Sequence, residues 1–285
     1  KDCMKFGVNL LLYNGLIGEA EIELFPLIKD IGFDGVEVPV FDPDKMNLIR
    51  IREAAKENGL SVSVSGALAN GTRLYGDDKL LIKKAQHYLY TIIEAAVALG
   101  SPLICGPLYK CVGDMDLSIP LEEQRDQVAK NLRPIAKKAE SVGVVLAYEP
   151  LNRFETNLIN TVEQGIDFCK AQQSPSAQLL LDTFHMHIEE KDTAEALQRA
   201  FDAHCFGHFH ASENDRGTAG SGQVHWDRVI ETLKANGYDD RVVLESFSMK
   251  VEEIRKAVSC WRPFYDDPER FMRDGLAFVK EKWQV

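Results

Sequence analysis

Four short apolar runs in this chain each end on a side chain able to bind a metal ion. They are Val144–Glu149, Gln178–Asp182, Cys205–His210 and Arg241–Glu245. Their last residues, Glu149, Asp182, His210 and Glu245, stand 33, 28 and 35 positions apart, close to the length of one strand-plus-helix unit. In a parallel barrel, side chains at the C-terminal ends of successive strands converge on the mouth. Three carboxylates and an imidazole gathered there repel one another unless a divalent cation lies between them. The spacing therefore predicts a metalloenzyme.

Further reactive side chains cluster near these strand ends. In Glu149-Pro-Leu-Asn-Arg-Phe-Glu155 the second glutamate either faces the site or pairs with Arg153. Asp182 opens Asp-Thr-Phe-His-Met-His187 and could instead cap the following turn. If that segment is extended, His185 and His187 are expected on different sides, with one of them facing the site. Of His208 and His210 only one is expected in the barrel interior, and the strand-end member is the better placed for metal. Arg216 follows in a loop, where an arginine is usually a solvated charge but beside a carboxylate-ringed pocket can hold substrate oxygens. The Gly217–Gly222 run permits a tight turn but lacks the Gly-Lys-Ser/Thr ending of a phosphate loop.

These residues need a scaffold of alternating strands and helices. The strand-like runs are 5–11, 35–39, 61–66, 102–105, 144–149, 178–182, 206–210 and 242–245. Stretches 80–99 and 121–141 repeat apolar residues at helical spacing. Gly32, Gly59, Gly100, Gly143 and Gly237 read as helix stops. Strict alternation over eight units, with no Gly-x-Gly-x-x-Gly after the first strand, points to an α/β fold, a single (β/α)8 TIM barrel spanning residues 1–285. The tail 268–285 reads as a last helix across the barrel.

Composition narrows the function classes. The chain has 285 residues and a net charge of −11, which argues against a nucleic-acid partner. No apolar run approaches the length of a membrane span, and residues 1–5 lack a signal-peptide pattern. Six cysteines without Cys-x-x-Cys spacing read as free thiols in a cytoplasmic protein. Whether Lys1-Asp2-Cys3 is native is open.

The motifs Glu149-Pro-Leu-Asn-Arg-Phe-Glu155, Leu181-Asp-Thr-Phe-His-Met-His-Ile-Glu-Glu190, Gly207-His-Phe-His210 with Arg216, and Leu244-Glu-Ser-Phe247 carry a resemblance. Together with Trp261-Arg262, they resemble the D-tagatose/D-allulose 3-epimerases, the ketose 3-epimerase group of the xylose-isomerase-like barrels. The likeness is strongest over residues 142–262. It implies metal ligation by Glu149, Asp182, His210 and Glu245, and substrate contacts from Glu155, His185 and Arg216. Leu10-Leu-Leu-Tyr13 and Cys105-Gly-Pro-Leu-Tyr-Lys-Cys111 depart from the group's pattern, in loops that shape the pocket for the far end of a sugar.

The expected chemistry is epimerisation of a free ketose at C3 through a metal-stabilised cis-enediolate. Inversion needs bases on both faces. Glu149 and Glu245 end the fifth and eighth strands, roughly 135° apart around the ring. An oxygen-rich site suggests Mn²⁺, with Mg²⁺ or Co²⁺ as substitutes and zinc a poorer match. The expected partners are a small sugar and further copies of the chain, as a homodimer or homotetramer. Three rivals stand beside this reading: a lyase, hydratase or isomerase acting on a 3-keto sugar, keto-glycoside or inosose, an AP-endonuclease-like phosphodiesterase, and a non-catalytic sugar-binding barrel.

Overall fold

Short runs rich in valine, leucine and phenylalanine alternate with amphipathic helices, and neither can bury its apolar face alone. The computed structural model describes residues 4–284. In it the strands are β1 (Lys5–Asn9), β2 (Gly35–Pro39), β3 (Ser61–Ser65), β4 (Leu103–Gly106), β5 (Val145–Tyr148), β6 (Ala177–Asp182), β7 (Phe206–Ala211) and β8 (Arg241–Leu244). They pair in sequence order, all parallel, and β8 returns to β1 to close the barrel. Helices flank the ring, as expected of a (β/α)8 barrel.

Local chemistry sets the element ends. The first strand stops at Asn9, two residues short of the expected end, because the Asn9 side chain accepts the Leu11 N–H and starts a 3-10 turn over Leu10–Leu12. The expected helices occur as Lys79–Leu99 and Leu121–Ser141. The first begins where Asp78 accepts the N–H groups of Leu80 and Leu81. Its stop, Gly100, has φ +74°, and the other four expected stops are also left-handed. That conformation costs glycine little. The C-terminal helix, Pro268–Gln284, buries Phe271, Met272, Leu276 and Val279. It lies outside the ring beside β8 and the helix Trp226–Ala235 rather than across the barrel.

Register decides which polar side chains meet inside. Asn9 faces Glu37, and Glu37 faces Ser63, so three interior polar residues stand abreast on β1, β2 and β3. Asp182 and His210 are register partners on β6 and β7. The β6–β7 register shifts below them: Leu179 faces Phe206 and Leu180 faces His208, leaving Gly207 as the extra residue of a bulge. A Cβ there would come 2.5 Å from Gln178 Cβ. The five described cysteines are free thiols; Cys3 lies outside the described residues. No described helix is long and apolar enough to cross a membrane.

Candidate metal centre and active site

Glu149, Asp182, His210 and Glu245 converge at the C-terminal mouth of the barrel. Each offers one ligand atom, all within 4.8 Å of one another, and all four residues are buried. Asp182 and His210 arrive on their strands. Glu149 and Glu245 sit one residue past β5 and β8, where the backbone leaves the ladder. Glu149 Oε1 and His210 Nδ1 are buried polar atoms with no hydrogen-bond partner, a costly state for two groups facing one space. An oxygen-rich donor set with one imidazole nitrogen and two bare atoms fits a hard divalent cation.

The electrostatics show the same imbalance. Burial, with the charges of Glu245 and Asp182 beside it, pushes the Glu149 carboxyl well above the usual carboxylate range. Burial acts the same way on Asp182, but Arg216 and the neighbouring imidazoles outweigh it and hold that group well below its ordinary value. Asp182 makes the expected cap and also turns toward the cluster. Oδ1 caps the helix Thr183–Glu189 through the Phe184 N–H, and Oδ2 faces the cluster.

Arg216 is not a solvated loop charge. It is 3% exposed, and its Nη1 donates to Asp182 Oδ2 at 2.8 Å and to Glu245 Oε2 at 2.9 Å. Its guanidinium stacks over Phe184 and Phe247. Its backbone is left-handed at φ +64°, a conformation that a non-glycine residue holds only when its surroundings enforce it. Ser246 Oγ donates to its carbonyl. The glycine-rich run that follows is tied down by Glu213, whose carboxylate accepts from the N–H groups of Gly220 and Val224 and from Trp226 Nε1.

The expectation that an extended segment separates His185 from His187 is wrong. Residues two apart in an extended chain share a face, and it is the helix after Asp182 that separates the two histidines. His185 is buried in the site, while His187 is half-exposed on the same helix. His185 Nδ1 accepts the Asn152 N–H at 2.9 Å. Its Nε2 lies 3.0 Å from Arg216 Nη2 and 3.5 Å from Glu149 Oε1, so donors face both ring nitrogens. Burial, then Arg216, lowers its pKa to about 3. Glu155 is buried and accepts from Asn152 Nδ2; Arg153 pairs with Glu189 instead. The Glu155–Arg153 pairing is thus absent from the structure.

The expectation that one of His208 and His210 faces outward is also wrong. Strand side chains two apart share a face, so both rings enter the interior and Phe209 packs outside. Both donate to a residue that the motif reading missed: Glu37 accepts His208 Nε2 at 2.8 Å and His210 Nε2 at 2.7 Å. A signal existed, because Gly-Val-Glu-Val-Pro places a carboxylate in an otherwise apolar strand, and a buried charge must be paired.

Above the cluster opens a cavity of about 480 Å³. Glu149, Glu155, His185, His210, Arg216 and Glu245 line its charged side, while Leu11, Leu68, Val112 and Ile254 are part of an apolar wall. Leu11 and Val112 belong to or adjoin the two departing loops named from the sequence. Trp261 lies outside this lining and is 67% exposed.

Residues 25–282 match the family described as the xylose isomerase-like TIM barrel. A probable ketose 3-epimerase of Synechocystis sp. is 30% identical over 283 residues, covering 99% of this chain and 98% of that protein. A solved L-ribulose 3-epimerase superposes with a TM-score of 0.91 at 29% identity, covering 99% of this chain and 95% of the other. A 3-dehydro-D-guloside 4-epimerase of Escherichia coli is 28% identical over 270 residues, covering 91% and 94%.

Proposed function

The chain belongs to the xylose isomerase-like TIM-barrel family, and we propose that it epimerises a free ketose at C3 through a cis-enediolate. Epimerases are isomerases, and its ketose 3-epimerase relatives match it over nearly their whole length. The observation that carries the reading is the cluster of Glu149, Asp182, His210 and Glu245 beneath a sugar-sized cavity. These four residues would hold a divalent cation, with Mn²⁺ the best match to the donor set and Mg²⁺ or Co²⁺ acceptable.

A bound divalent ion supplies charge stabilisation for the sugar oxygens at C2 and C3 as the C3 proton leaves. The protein's own groups do the rest. Glu149 and Glu245 approach from strands five and eight, and one takes the C3 proton while the other returns one to the opposite face. Arg216 keeps its charge near neutral pH and, with His185 beside it at 3.0 Å, fixes substrate oxygens near C1 and C2. Glu155, neutral or charged, adds an acceptor on the same side. The apolar wall excludes water from the reacting carbons.

Free thiols at all five described cysteines support a reducing, cytoplasmic setting. A homodimer or homotetramer is the expected assembly, to be measured by light scattering.

One specific relative favours a second reading: the 3-dehydro-D-guloside 4-epimerase points to a 3-keto sugar as substrate, with proton transfer at a carbon beside the ketone. Metal-reconstituted protein offered free ketoses and 3-keto sugars in D₂O separates the two by NMR. Inversion at C3 of a ketose with solvent deuterium at that carbon supports the first reading. Turnover of 3-keto sugars alone rejects it.

A further inference from the structure

We propose that Glu37 is a positioning residue that aims His210 at the metal centre. It accepts the Nε2–H of that imidazole and leaves Nδ1 bare toward Asp182 and Glu245. The inference rests on the reading of His210 as a ligand and goes beyond it by naming the residue that orients it.

Glu37 lies in the middle of β2, fully buried. Each of its oxygens accepts two hydrogen bonds. Oε1 takes Asn9 Nδ2 at 3.0 Å and His210 Nε2 at 2.7 Å. Oε2 takes Ser63 Oγ at 2.9 Å and His208 Nε2 at 2.8 Å. The donors come from β1, β3 and β7 on both sides of β2, so the carboxylate cannot turn without breaking bonds in the dry interior. A metal-ligating imidazole has to be neutral and then carries one ring proton. The alternative tautomer of His210 would set a bare Nε2 against a carboxylate oxygen at 2.7 Å, two acceptors in contact. The surviving tautomer leaves Nδ1 without a proton, 3.4 Å from Glu245 Oε1 and 3.7 Å from Asp182 Oδ2. Nδ1 is also one of the two bare atoms in the cluster. Asn9 extends the hold, since its Nδ2 also donates to Glu245 Oε1 at 3.0 Å. One buried carboxylate thus sets the direction of two of the four residues in the cluster.

Glu37, His208, His210 and Cys105 also lie close enough together to suggest a second cation site. The short hydrogen bonds argue against it, because His210 Nε2 and both Glu37 oxygens are already occupied by protons they share. The proposal therefore also states that the chain binds one ion, not two.

The test is metal binding. Purified protein is stripped, titrated with Mn²⁺ against a chelating indicator, and examined with Co²⁺ by absorption spectroscopy. Wild type is expected to bind one ion per chain. Glu37→Ala is expected to raise the Mn²⁺ dissociation constant about 10- to 100-fold and to alter the Co²⁺ spectrum. Glu37→Asp draws the carboxylate back by about 1.5 Å and is expected to behave likewise, with charge kept and a smaller cavity, so it carries the test where alanine does not fold. Glu37→Gln is expected to restore most of the affinity, since its amide oxygen can still face His210 while His208 moves its proton to the free Nδ1. Ser63→Ala, which removes a bond from Oε2 alone, is expected to bind as wild type does. Wild-type affinity in folded Glu37→Asp, equal weakening in Glu37→Gln and Glu37→Ala, or two ions per wild-type chain would each overturn the proposal. Asp182→Ala distinguishes its failure from that of the ligand reading: if that variant keeps the metal, the ligand assignment itself is wrong.

Discussion

Arg216 Nη1 lies 2.8 Å from Asp182 Oδ2, and both side chains are buried at the barrel mouth. The pair joins the loop after β7 to the end of β6, and Glu245 completes it from β8 at 2.9 Å. A buried charge pair is worth most when each partner has further hydrogen bonds. Asp182 has them from Ser212 Oγ and the Phe184 N–H.

Arg216→Ala is therefore expected to lower kcat/KM by about 100-fold or more, because the substrate oxygens lose their positioning. Metal content is expected to remain that of wild type. Arg216→Lys is expected to recover little, since an ammonium cannot reproduce the planar stacking over Phe184 and Phe247. Unchanged steady-state kinetics in the alanine variant would reduce Arg216 to a structural role.

Asp182→Ala and His210→Ala are each expected to lose the bound ion and all measurable turnover. Elemental analysis of dialysed protein provides the check. Full occupancy in both variants would rule them out as ligands.

Glu149→Gln and Glu245→Gln are each expected to lower epimerisation by a factor of about 10² to 10⁴ while an amide oxygen can still reach the metal. Each variant is expected to exchange the C3 hydrogen only of the epimer whose proton faces its surviving glutamate. NMR of substrates incubated in D₂O reads this directly. Loss of exchange for both epimers in both variants would mean that the two glutamates do not serve separate faces.

The raised pKa of Glu149 sets a stability prediction for metal-stripped protein. The folded state holds this proton more tightly than the unfolded chain, where the pKa is about 4.3. The group's contribution is thus fully present below that value and is lost as pH rises through the folded pKa. Metal-stripped Glu149→Gln is expected to melt above metal-stripped wild type at pH 8, with the gap closing as the pH is lowered. A gap that does not change with pH would show that Glu149 is not protonated on folding.

The sequence by itself determined the barrel, because its signals are local and repeat: apolar runs, helical periodicity, and glycine stops such as Gly32 and Gly100. It also singled out Glu149, Asp182, His210 and Glu245, since strand ends in a parallel barrel share one rim whatever the details of packing. Which other side chains enter that rim was a matter of tertiary structure. Asp182 starts a helix at once, so a helical turn rather than an extended period of two placed His185 inside. Arg153 found Glu189, 36 residues away in the chain, and left Glu155 to the cavity. Glu37 was least legible of all. Its chemistry comes from Asn9, Ser63, His208 and His210, which meet it only through the pairing of β1, β2 and β3 and the closure that brings β7 across the interior. A hydrogen bond between residues 173 positions apart leaves no periodic trace in the sequence, and only the closed barrel brings its two ends together.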